Sequence, residues 1–284
     1  MKINIANIGT KEWLDFKADI TFGLYWGFKE IGFDVSISLN EFRQDVLNIL
    51  VGSDFLAETD SNTLALLGAK VEYIVYEVEA FDGTTINGRN NFNLGNYLAI
   101  LNQAKIILTP YAFNMRSLSN FFPDEKIAYV KWGYHEGLDL LSSVRRTSTE
   151  FDAIFFGLPK GARAESLAKI KDSGNLKVKI LGREDPISFR NYFISRSRWG
   201  LQLTYGESEK FVNPFRLYIL AASGVPIITD KLSDDDGYLA LCRGCRNLNE
   251  LIEVLTLSKH SDNQETVNPE ELPKLGDNLK HIFC

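Results

Sequence analysis

The sequence predicts an α/β protein made of two Rossmann-like domains. Apolar strand-like runs alternate with helix-like runs, which is typical of parallel sheets covered by helices. The alternation occurs twice and is interrupted by a polar segment at 136–150 that contains Arg145, Arg146 and Thr147. The length of 284 residues also suits two domains of about 140 residues each.

The opening residues show the βαβ pattern. Residues 2–8 alternate polar and apolar side chains as a half-buried strand does. A polar, glycine-containing loop is predicted next, and an apolar run at helical spacing covers 20–31. Gly32 follows at the position that a helix C-cap favours. Val35, Ile37 and Leu39 then alternate as the next strand. Strand, helix, glycine and strand together predict a parallel sheet.

The same pattern continues to residue 130, and 1–140 is predicted as the N-terminal, acceptor-side domain. Its further predicted strands are 45–51, 71–76, 105–108 and 127–130. Its further predicted helices are 62–67, 94–103 and 114–121. The Gly/Asn-rich residues 82–96 are predicted as a loop.

A second series begins after the polar segment, which is the predicted linker, and 141–284 is predicted as the C-terminal domain. Its predicted strands are 151–156, 177–181, 199–204 and 225–229. Its predicted helices are 162–172, 186–195, 213–223 and 248–257. The polar tail after Lys259, with Pro269 and Pro273, is predicted to wrap the surface or to fray. We expect the two domains to face each other across a ligand-binding cleft.

Composition and charge exclude several classes of protein. A net charge of -6 argues against a general nucleic-acid binder, although it leaves room for a local basic groove. No run approaches the roughly 20 apolar residues that span a bilayer. Asn4 and Asn7 interrupt the N-terminus too early for a signal peptide, so we expect a cytoplasmic protein.

The three cysteines predict neither a disulfide framework nor a metal site. Cys242 and Cys245 form a C-R-G-C pair, and Cys284 ends the chain. A metal would need two further ligands, and His260 and His281 are the only histidines downstream. We therefore predict an ordinary turn with two half-buried thiols and no metal.

A glycine-containing turn carries the sharpest local signal. The strand FDAIFF runs into Gly157, and the turn ends at Gly161 before a helix. Glycine lets backbone N–H groups and a helix N-terminus approach a phosphate closely. Lys160 and Arg163 are placed to neutralise a diphosphate. The turn is neither G-x-G-x-x-G nor a P-loop, and an ordinary βα turn with solvated cations is the alternative.

A second helix N-terminus lies about fifty residues later. Asn213 and Pro214 match an N-cap followed by proline at the first helical position. Arg216 is in the first turn, where the helix dipole disfavours a cation unless it faces an anion. The alternative is that Arg216 pairs with Glu207 or Glu209.

The order of these motifs resembles the C-terminal domain of GT-B glycosyltransferases. FFG comes first, then a strand ending in ILG, then R-L-Y-I-L-A-A-S-G-V-P-I-I. The first half agrees through D-V-L-N-I-L-V-G, Y-I-V-Y-E-V-E, a strand ending in T-P-Y, and Y-V-K-W-G-Y-H. The resemblance spans residues 1–257, rests on motif order, and is closest to a small bacterial and phage-type group related to GT4-like transferases.

This resemblance implies a nucleotide-diphosphate sugar, with UDP as the commonest nucleotide, bound to the second domain. Gly157 and Lys160 match the residues near the diphosphate. Gly182 and Arg183 match the region that contacts the base. Asn213 and Arg216 begin the helix that meets the ribose and diphosphate. The implied reaction is transfer of a hexose or pentose to a hydroxyl-bearing acceptor, with these cations in place of a metal or other cofactor.

One departure from the family pattern leaves the stereochemistry open. GT4 members carry two glutamates in an E-x7-E pattern, whereas this chain has Glu207 and Glu209 before the helix and Ile219 at the second position. Retaining chemistry therefore cannot be carried over.

In an inverting enzyme, a first-domain side chain would deprotonate the acceptor hydroxyl. The candidates are Glu79, Asp19 and His135. Glu79 is preferred because it and Glu77 follow a strand whose carboxyl end faces the expected cleft. Their alternatives are a solvated loop carboxylate for Glu79, a helix N-cap for Asp19 and a packed hinge residue for His135.

Two other functions remain open. One is a non-catalytic nucleotide- or sugar-binding module on the same fold. The other is a transferase that glycosylates modified DNA bases, which the negative net charge disfavours. No membrane partner is expected.

Overall fold

The computed structural model forms two compact units. It describes residues 1–58, 71–87, 89, 92–138, 149–173, 175–182, 185–204, 212–232, 234–259, 268 and 271–284. Unit 1 comprises Met1–His135 and Lys274–Cys284, and unit 2 comprises Glu136–Pro273. The predicted helix at 62–67 and most of the predicted linker lie outside the described residues.

Unit 1 alternates strands and helices. Its strands are β1 (Lys2–Asn7), β2 (Asp34–Leu39), β3 (Leu47–Val51), β4 (Tyr73–Tyr76), β5 (Ile107–Thr109) and β6 (Ile127–Tyr129). Between them lie α1 (Lys11–Phe16), α2 (Ala18–Glu30), α3 (Ser53–Leu56), α4 (Leu94–Gln103) and α5 (Ala112–Leu118). A short 3-10 turn at Asp124–Lys126 precedes β6.

The strands of unit 1 form one parallel sheet in the order β2-β1-β3-β4-β5-β6. The chain moves outward from β1 to β2 and then returns to the other side of β1 with β3. The carboxyl ends of β1 and β3 therefore flank a topological switch point, where open α/β sheets bind their ligands. One core cluster packs Leu50 and Val75 of the sheet against Ile100 and Leu101 of α4.

Unit 2 repeats this arrangement on a smaller scale. Its strands are β7 (Phe151–Phe156), β8 (Val178–Leu181), β9 (Ser197–Gln202), β10 (Ile227–Thr229) and β11 (Cys242–Gly244). Its helices are α6 (Ala162–Asp172), α7 (Ile187–Ile194), α8 (Pro214–Ala222) and α9 (Leu248–Ser258). Short 3-10 turns lie at Glu136–Leu138 and Tyr238–Leu241. The parallel sheet has the order β11-β10-β9-β7-β8, which places its switch point between β7 and β9.

The predicted fold class, α/β with two Rossmann-like domains, is confirmed by these two sheets. The C-cap prediction at Gly32 is also confirmed. Gly32 is left-handed (φ 89°), and its N–H bonds to the Lys29 carbonyl while the Phe33 N–H bonds to the Phe28 carbonyl. These two bonds and the packed Phe28 and Phe33 rings make a Schellman motif, which stops α2 before β2 begins.

Two short elements differ from the sequence prediction. Residues 11–16, predicted as part of a loop, form α1. The C-R-G-C residues, predicted as a turn, form β11 at the edge of the second sheet, and Cys245 follows it in the core. Both elements have six residues or fewer, too few for a periodic pattern to be recognised.

The end of the chain also differs from the prediction, because it is a helix of unit 1 and not a tail of the second domain. This helix, α10 (Leu275–Phe283), buries Leu275 and Leu279 completely. It packs closely on α2, since a Cβ added at Gly27 would lie 2.9 Å from Leu279 Cδ1. Asn278 also donates to the Lys131 carbonyl at 2.7 Å. The division into 1–140 and 141–284 is therefore corrected for Lys274–Cys284.

Across the described ranges, no helix has the length and apolar character needed to cross a membrane.

Candidate functional site

The glycine-containing turn of unit 2 lies at the switch point of its sheet. It connects the carboxyl end of β7 to the N-terminus of α6, and both end glycines have positive φ, 129° at Gly157 and 58° at Gly161. Gly157 has a second reason to lack a side chain, because an added Cβ would lie 2.5 Å from Arg216 Nη2. Gly161 is the N-cap of α6, so the first N–H groups of that helix adjoin the turn.

Arg216 joins the ends of the two strands that flank this switch point. Its Nε donates to the Phe156 carbonyl at 2.9 Å, and its Nη1 donates to Gln202 Oε1 at 2.8 Å. The guanidinium also lies 4.9 Å from the centre of the Phe155 ring, and the residue is only 6% exposed. Arg216 is therefore a buried cation on which two hydrogen-bond acceptors depend. Its contact with a diphosphate stays a prediction.

The N-cap of α8 has the predicted form. Asn213 Oδ1 accepts a hydrogen bond from the Arg216 N–H at 3.1 Å, and Pro214 is the first residue of the helix. The alternative partners of Arg216, Glu207 and Glu209, lie outside the described residues.

The other two cations of the turn have different surroundings. Arg163 is buried, and it donates to the Leu203 carbonyl at 3.1 Å and to the Leu158 carbonyl at 3.2 Å. Arg163 is therefore not a solvated cation, because it fastens the turn to the end of β9. Lys160 is exposed beside the N-terminus of α6.

The region predicted to contact the base begins at Gly182, directly after β8. The Gly182 N–H donates to Asp185 Oδ2 at 2.7 Å, shortly before α7 begins. Arg183 lies outside the described residues.

The carboxyl ends of β1, β3 and β4 in unit 1 bring together a buried charged cluster. Lys17 Nζ lies 2.9 Å from Asp54 Oδ1 and 3.3 Å from Glu79 Oε1. The Asn87 amide donates to the other carboxylate oxygen of Glu79. Arg89 Nη2 lies 3.4 Å from Asp54 Oδ2. Glu79 is therefore not the solvated loop carboxylate of the alternative interpretation, because both of its oxygens have partners.

Glu77 lies deepest in this cluster. It accepts hydrogen bonds from the Ser53 hydroxyl, from the Tyr97 hydroxyl at 2.9 Å and from the Glu79 N–H at 2.9 Å. Burial raises the pKa of Glu77 to about 7, and the Asp54 charge acts in the same direction. Glu77 therefore changes charge near neutral pH.

Lys17 is the buried cation that balances the neighbouring carboxylates of Asp54 and Glu79. Burial alone would lower its pKa, but the charges of Asp54 and Glu79 outweigh burial and hold the pKa above its ordinary value. The ammonium also lies 5.1 Å from the centre of the Phe55 ring. Sequence reasoning missed Lys17 and Asp54. The one signal in the sequence was that each of them follows the end of a strand. Their contact itself could not be predicted, because the two residues are 37 positions apart in the chain.

Asp19 and His135 form a second group in unit 1. Nδ1 of His135 is buried without a hydrogen-bond partner. Burial lowers the pKa of His135 to about 4, against the opposing charge of Asp19. His135 Nε2 faces α2, where a Cβ added at Gly23 would lie 3.0 Å from it. At neutral pH His135 is thus an uncharged imidazole influenced by a carboxylate, the form that a general base needs.

The comparisons with known proteins identify the fold. No protein-family model matches the sequence, and no match was found among the curated proteins. One similar structure is an alpha-glucosyltransferase in complex with UDP and a 13-mer DNA containing a HMU base. It has a TM-score of 0.50 and 12% identity, covering 81% of this chain and 79% of the other.

Two structures of Anabaena Alr3699/HepE, one with UDP and glucose and one with UDP-glucose, are similar to the same degree. Each has a TM-score of 0.50 and 12% identity, covering 99% of this chain and 94% of the other. At this identity the likeness concerns the fold alone. The chain has two Rossmann-like domains of the GT-B type, as its motif order predicted.

Proposed function

We propose that this chain is a glycosyltransferase that moves a sugar from a nucleotide-diphosphate sugar, with UDP as the nucleotide, to a hydroxyl-bearing acceptor. The observation that carries the proposal is the turn from Gly157 to Gly161 in unit 2. It combines a switch point, a glycine with positive φ at each end and a helix N-terminus, three features that favour a bound diphosphate. Structures of the same fold that contain UDP or UDP-glucose support the choice of donor.

The donor side of the mechanism follows from this turn. As the bond between the sugar carbon and the diphosphate oxygen breaks, negative charge grows on the departing diphosphate. The N-terminus of α6 and the Lys160 ammonium would stabilise that charge without an essential metal. Arg216 and Arg163 hold the turn in place through the carbonyl groups of Phe156, Leu158 and Leu203.

The acceptor side requires a base that takes the hydroxyl proton as the new bond to the sugar forms. Both carboxylate oxygens of Glu79 already have partners, Lys17 and Asn87. His135 keeps Nδ1 without a partner and is uncharged at neutral pH, so we assign the base to His135 and its support to Asp19. Glu79 is then a residue that shapes the acceptor side.

Nucleotide binding should be visible as stabilisation. At a UDP concentration about 100-fold above its Kd, we expect the free energy of unfolding to rise by about 2.7 kcal/mol. GDP, ADP and dTDP at the same concentration should stabilise the chain less. A thermal-shift series with the four nucleotides measures this, and equal shifts or no shift with all four would contradict the proposed donor.

Turnover separates a transferase from a non-catalytic binding module. With UDP-sugars as donors, the proposed enzyme should release UDP slowly to water and faster when a hydroxyl-bearing acceptor is added. Both rates should persist in EDTA, because the proposal includes no essential metal. Tight nucleotide binding without release of UDP from any donor would favour the module.

Lys160 offers a direct test of the diphosphate position. Lys160→Ala should weaken UDP binding by about 1.5–3 kcal/mol, since it removes one charge-assisted contact. Its side chain is exposed, so the melting temperature should stay unchanged. Calorimetric titration of UDP measures the affinity, and Lys169→Ala, an exposed lysine in the last turn of α6, is the control. An unchanged affinity for Lys160→Ala would move the diphosphate away from this turn.

A second candidate differs only in the acceptor. The similar alpha-glucosyltransferase was solved with DNA containing a HMU base, which favours a modified DNA base as the hydroxyl-bearing group. Parallel assays with a free sugar acceptor and with HMU-containing DNA distinguish the two. Transfer to the DNA alone would establish the second candidate.

A further inference from the structure

One segment of unit 2 has a charge opposite to that of the chain. Residues 177–198, which contain β8 and α7, carry six Lys and Arg against two Asp and Glu, whereas the whole chain has a net charge of -6. β8 is an edge strand. Lysines on an edge strand discourage strand pairing, but that role does not account for the aromatic residues on the neighbouring helix.

The cations and the aromatic rings of this segment form a continuous series of contacts. Lys179 Nζ lies 3.9 Å from the centre of the Phe193 ring. The centres of the Phe193 and Tyr192 rings are 5.2 Å apart, and the two rings meet edge to face at 83°. The Arg196 guanidinium then lies 4.1 Å from the centre of the Tyr192 ring. The order of the series is therefore cation, ring, ring, cation.

Much of this aromatic surface is open to solvent. Phe189 is 55% exposed and Tyr192 is 47% exposed, and Ile187 beside them is 38% exposed. Phe189 precedes Phe193 by four residues on α7, so the two rings lie on the same side of the helix. We call Lys179, Phe189, Tyr192, Phe193 and Arg196 the α7 surface.

The carboxylates bordering the α7 surface are already engaged. Glu150 pairs with Arg196 at 2.7 Å. Asp152 accepts the Lys177 N–H at 2.7 Å and lies 3.6 Å from the Lys259 ammonium. Asp185 accepts the Gly182 N–H. Glu150 therefore offsets the charge of Arg196, whereas none of these contacts engages Lys179.

We propose that the α7 surface binds single-stranded nucleic acid. Unpaired bases stack on exposed aromatic rings, and neighbouring cations neutralise the phosphates between them. The surface supplies both: exposed rings at Phe189 and Tyr192, and the cations Lys179 and Arg196 beside the ring pair of Phe193 and Tyr192. Because the whole chain has a net charge of -6, we expect nucleic acid to bind at the α7 surface and not elsewhere on the protein. Binding at the α7 surface is separate from the proposed function, because it requires neither a nucleotide-sugar donor nor sugar transfer.

The test is fluorescence anisotropy of a labelled oligothymidylate of about 15 nucleotides with the full chain in about 50 mM salt. We expect binding that weakens as salt is raised. The double variant Phe189→Ala with Tyr192→Ala should bind at least about thirtyfold more weakly, because it removes two aromatic rings on which bases stack. Lys179→Met should reduce the slope of log affinity against log salt by about 0.7.

The control variant is Phe22→Ala, which removes an equally exposed ring (53%) from α2 of unit 1 and should leave the affinity unchanged. All substituted side chains are at the surface, and an unchanged melting temperature for each variant verifies its folding. No binding in low salt, or equal binding by wild type and the double variant, would overturn the proposal.

Two other outcomes would also overturn it. A wild-type dimer that the double variant converts to a monomer, measured by light scattering, would make the α7 surface a contact between copies. Flotation with anionic vesicles in the absence of oligonucleotide binding would make it a membrane contact. If sugar transfer from every UDP-sugar fails while oligonucleotide binding holds, only the proposed function is lost.

Discussion

Replacing Arg216 by methionine should lower the free energy of unfolding of unit 2 by about 2–5 kcal/mol. Methionine keeps much of the apolar stem but leaves the Phe156 carbonyl and Gln202 Oε1 without their donor. Each buried acceptor left unsatisfied costs about 1–3 kcal/mol. The loss should be strongest where β7 and β9 meet, because Arg216 joins the carboxyl ends of these strands. Urea unfolding with amide hydrogen exchange of β7 and β9 measures it.

The matched control is Arg243→Met, which removes an exposed arginine from β11 of the same unit. Its effect should stay within about 0.5 kcal/mol. Calorimetric titration of UDP on both variants then separates the two roles of Arg216. A variant of Arg216 with unchanged stability and lost UDP affinity would refute the positioning role and leave a pure ligand contact.

Arg216 also shows where sequence reasoning stops. Its place in the first turn of a helix was readable, because Asn213, Pro214 and the apolar run that follows are local signals. Its burial was not, because its hydrogen-bond acceptors lie 60 and 14 residues away in the chain. Local patterns give the ends of elements, whereas the partner of a side chain depends on which strands become neighbours.

The same distinction applies to the elements themselves. The longer strands and helices were predictable, since period-2 and period-3.6 patterns extend over them. α10 was missed although it is strongly amphipathic, because Pro269, Pro273 and the polar residues around them indicate a loop. Its apolar side packs on α2, which is about 250 residues earlier in the chain, so only the fold supplies its partner.

The charged groups of unit 1 were predicted only in part. The position of Glu79 at a strand end identified the rim of the sheet where charged groups gather. The lysine that neutralises Glu79 was not predictable, because Lys17 belongs to the segment after β1, which was interpreted as a loop. His135 was predicted as a candidate base, with a packed hinge residue as the alternative, and the structure places it in a buried position beside α2.

Glu77 and His135 should make the stability of unit 1 depend on pH in opposite directions. The pKa of Glu77 rises on folding from 4.5 to about 7, so its stabilising contribution is complete below pH 4.5 and is lost as pH rises through 7. The pKa of His135 falls from 6.5 to about 4, so its contribution is complete above pH 6.5 and is lost as pH falls through 4. Each change corresponds to about 3 kcal/mol.

The two effects nearly cancel between pH 4.5 and 6.5, and single substitutions should reveal each of them. In Glu77→Gln, the free energy of unfolding should fall by about 3 kcal/mol as pH is lowered from 6.5 to 4.5, because the opposing titration of Glu77 is removed and that of His135 remains. In His135→Gln, it should fall by a similar amount as pH is raised from 4.5 to 7. The amide introduced by Glu77→Gln can keep the neighbours of the carboxyl group, because the Ser53 and Tyr97 hydroxyls can accept as well as donate.

Tryptophan fluorescence can follow unit 1 alone. Trp13, Trp26 and Trp132 belong to unit 1 and Trp199 to unit 2, so urea unfolding in a Trp199→Phe background reports unit 1. Glu58→Gln, at an exposed position, is the control and should retain the wild-type dependence on pH. Parallel profiles for wild type, Glu77→Gln and His135→Gln would show that neither group is buried as the structure places it. Opposite slopes in the two variants would establish that unit 1 holds a carboxyl group that is protonated, and an imidazole that is neutral, over the same range of pH.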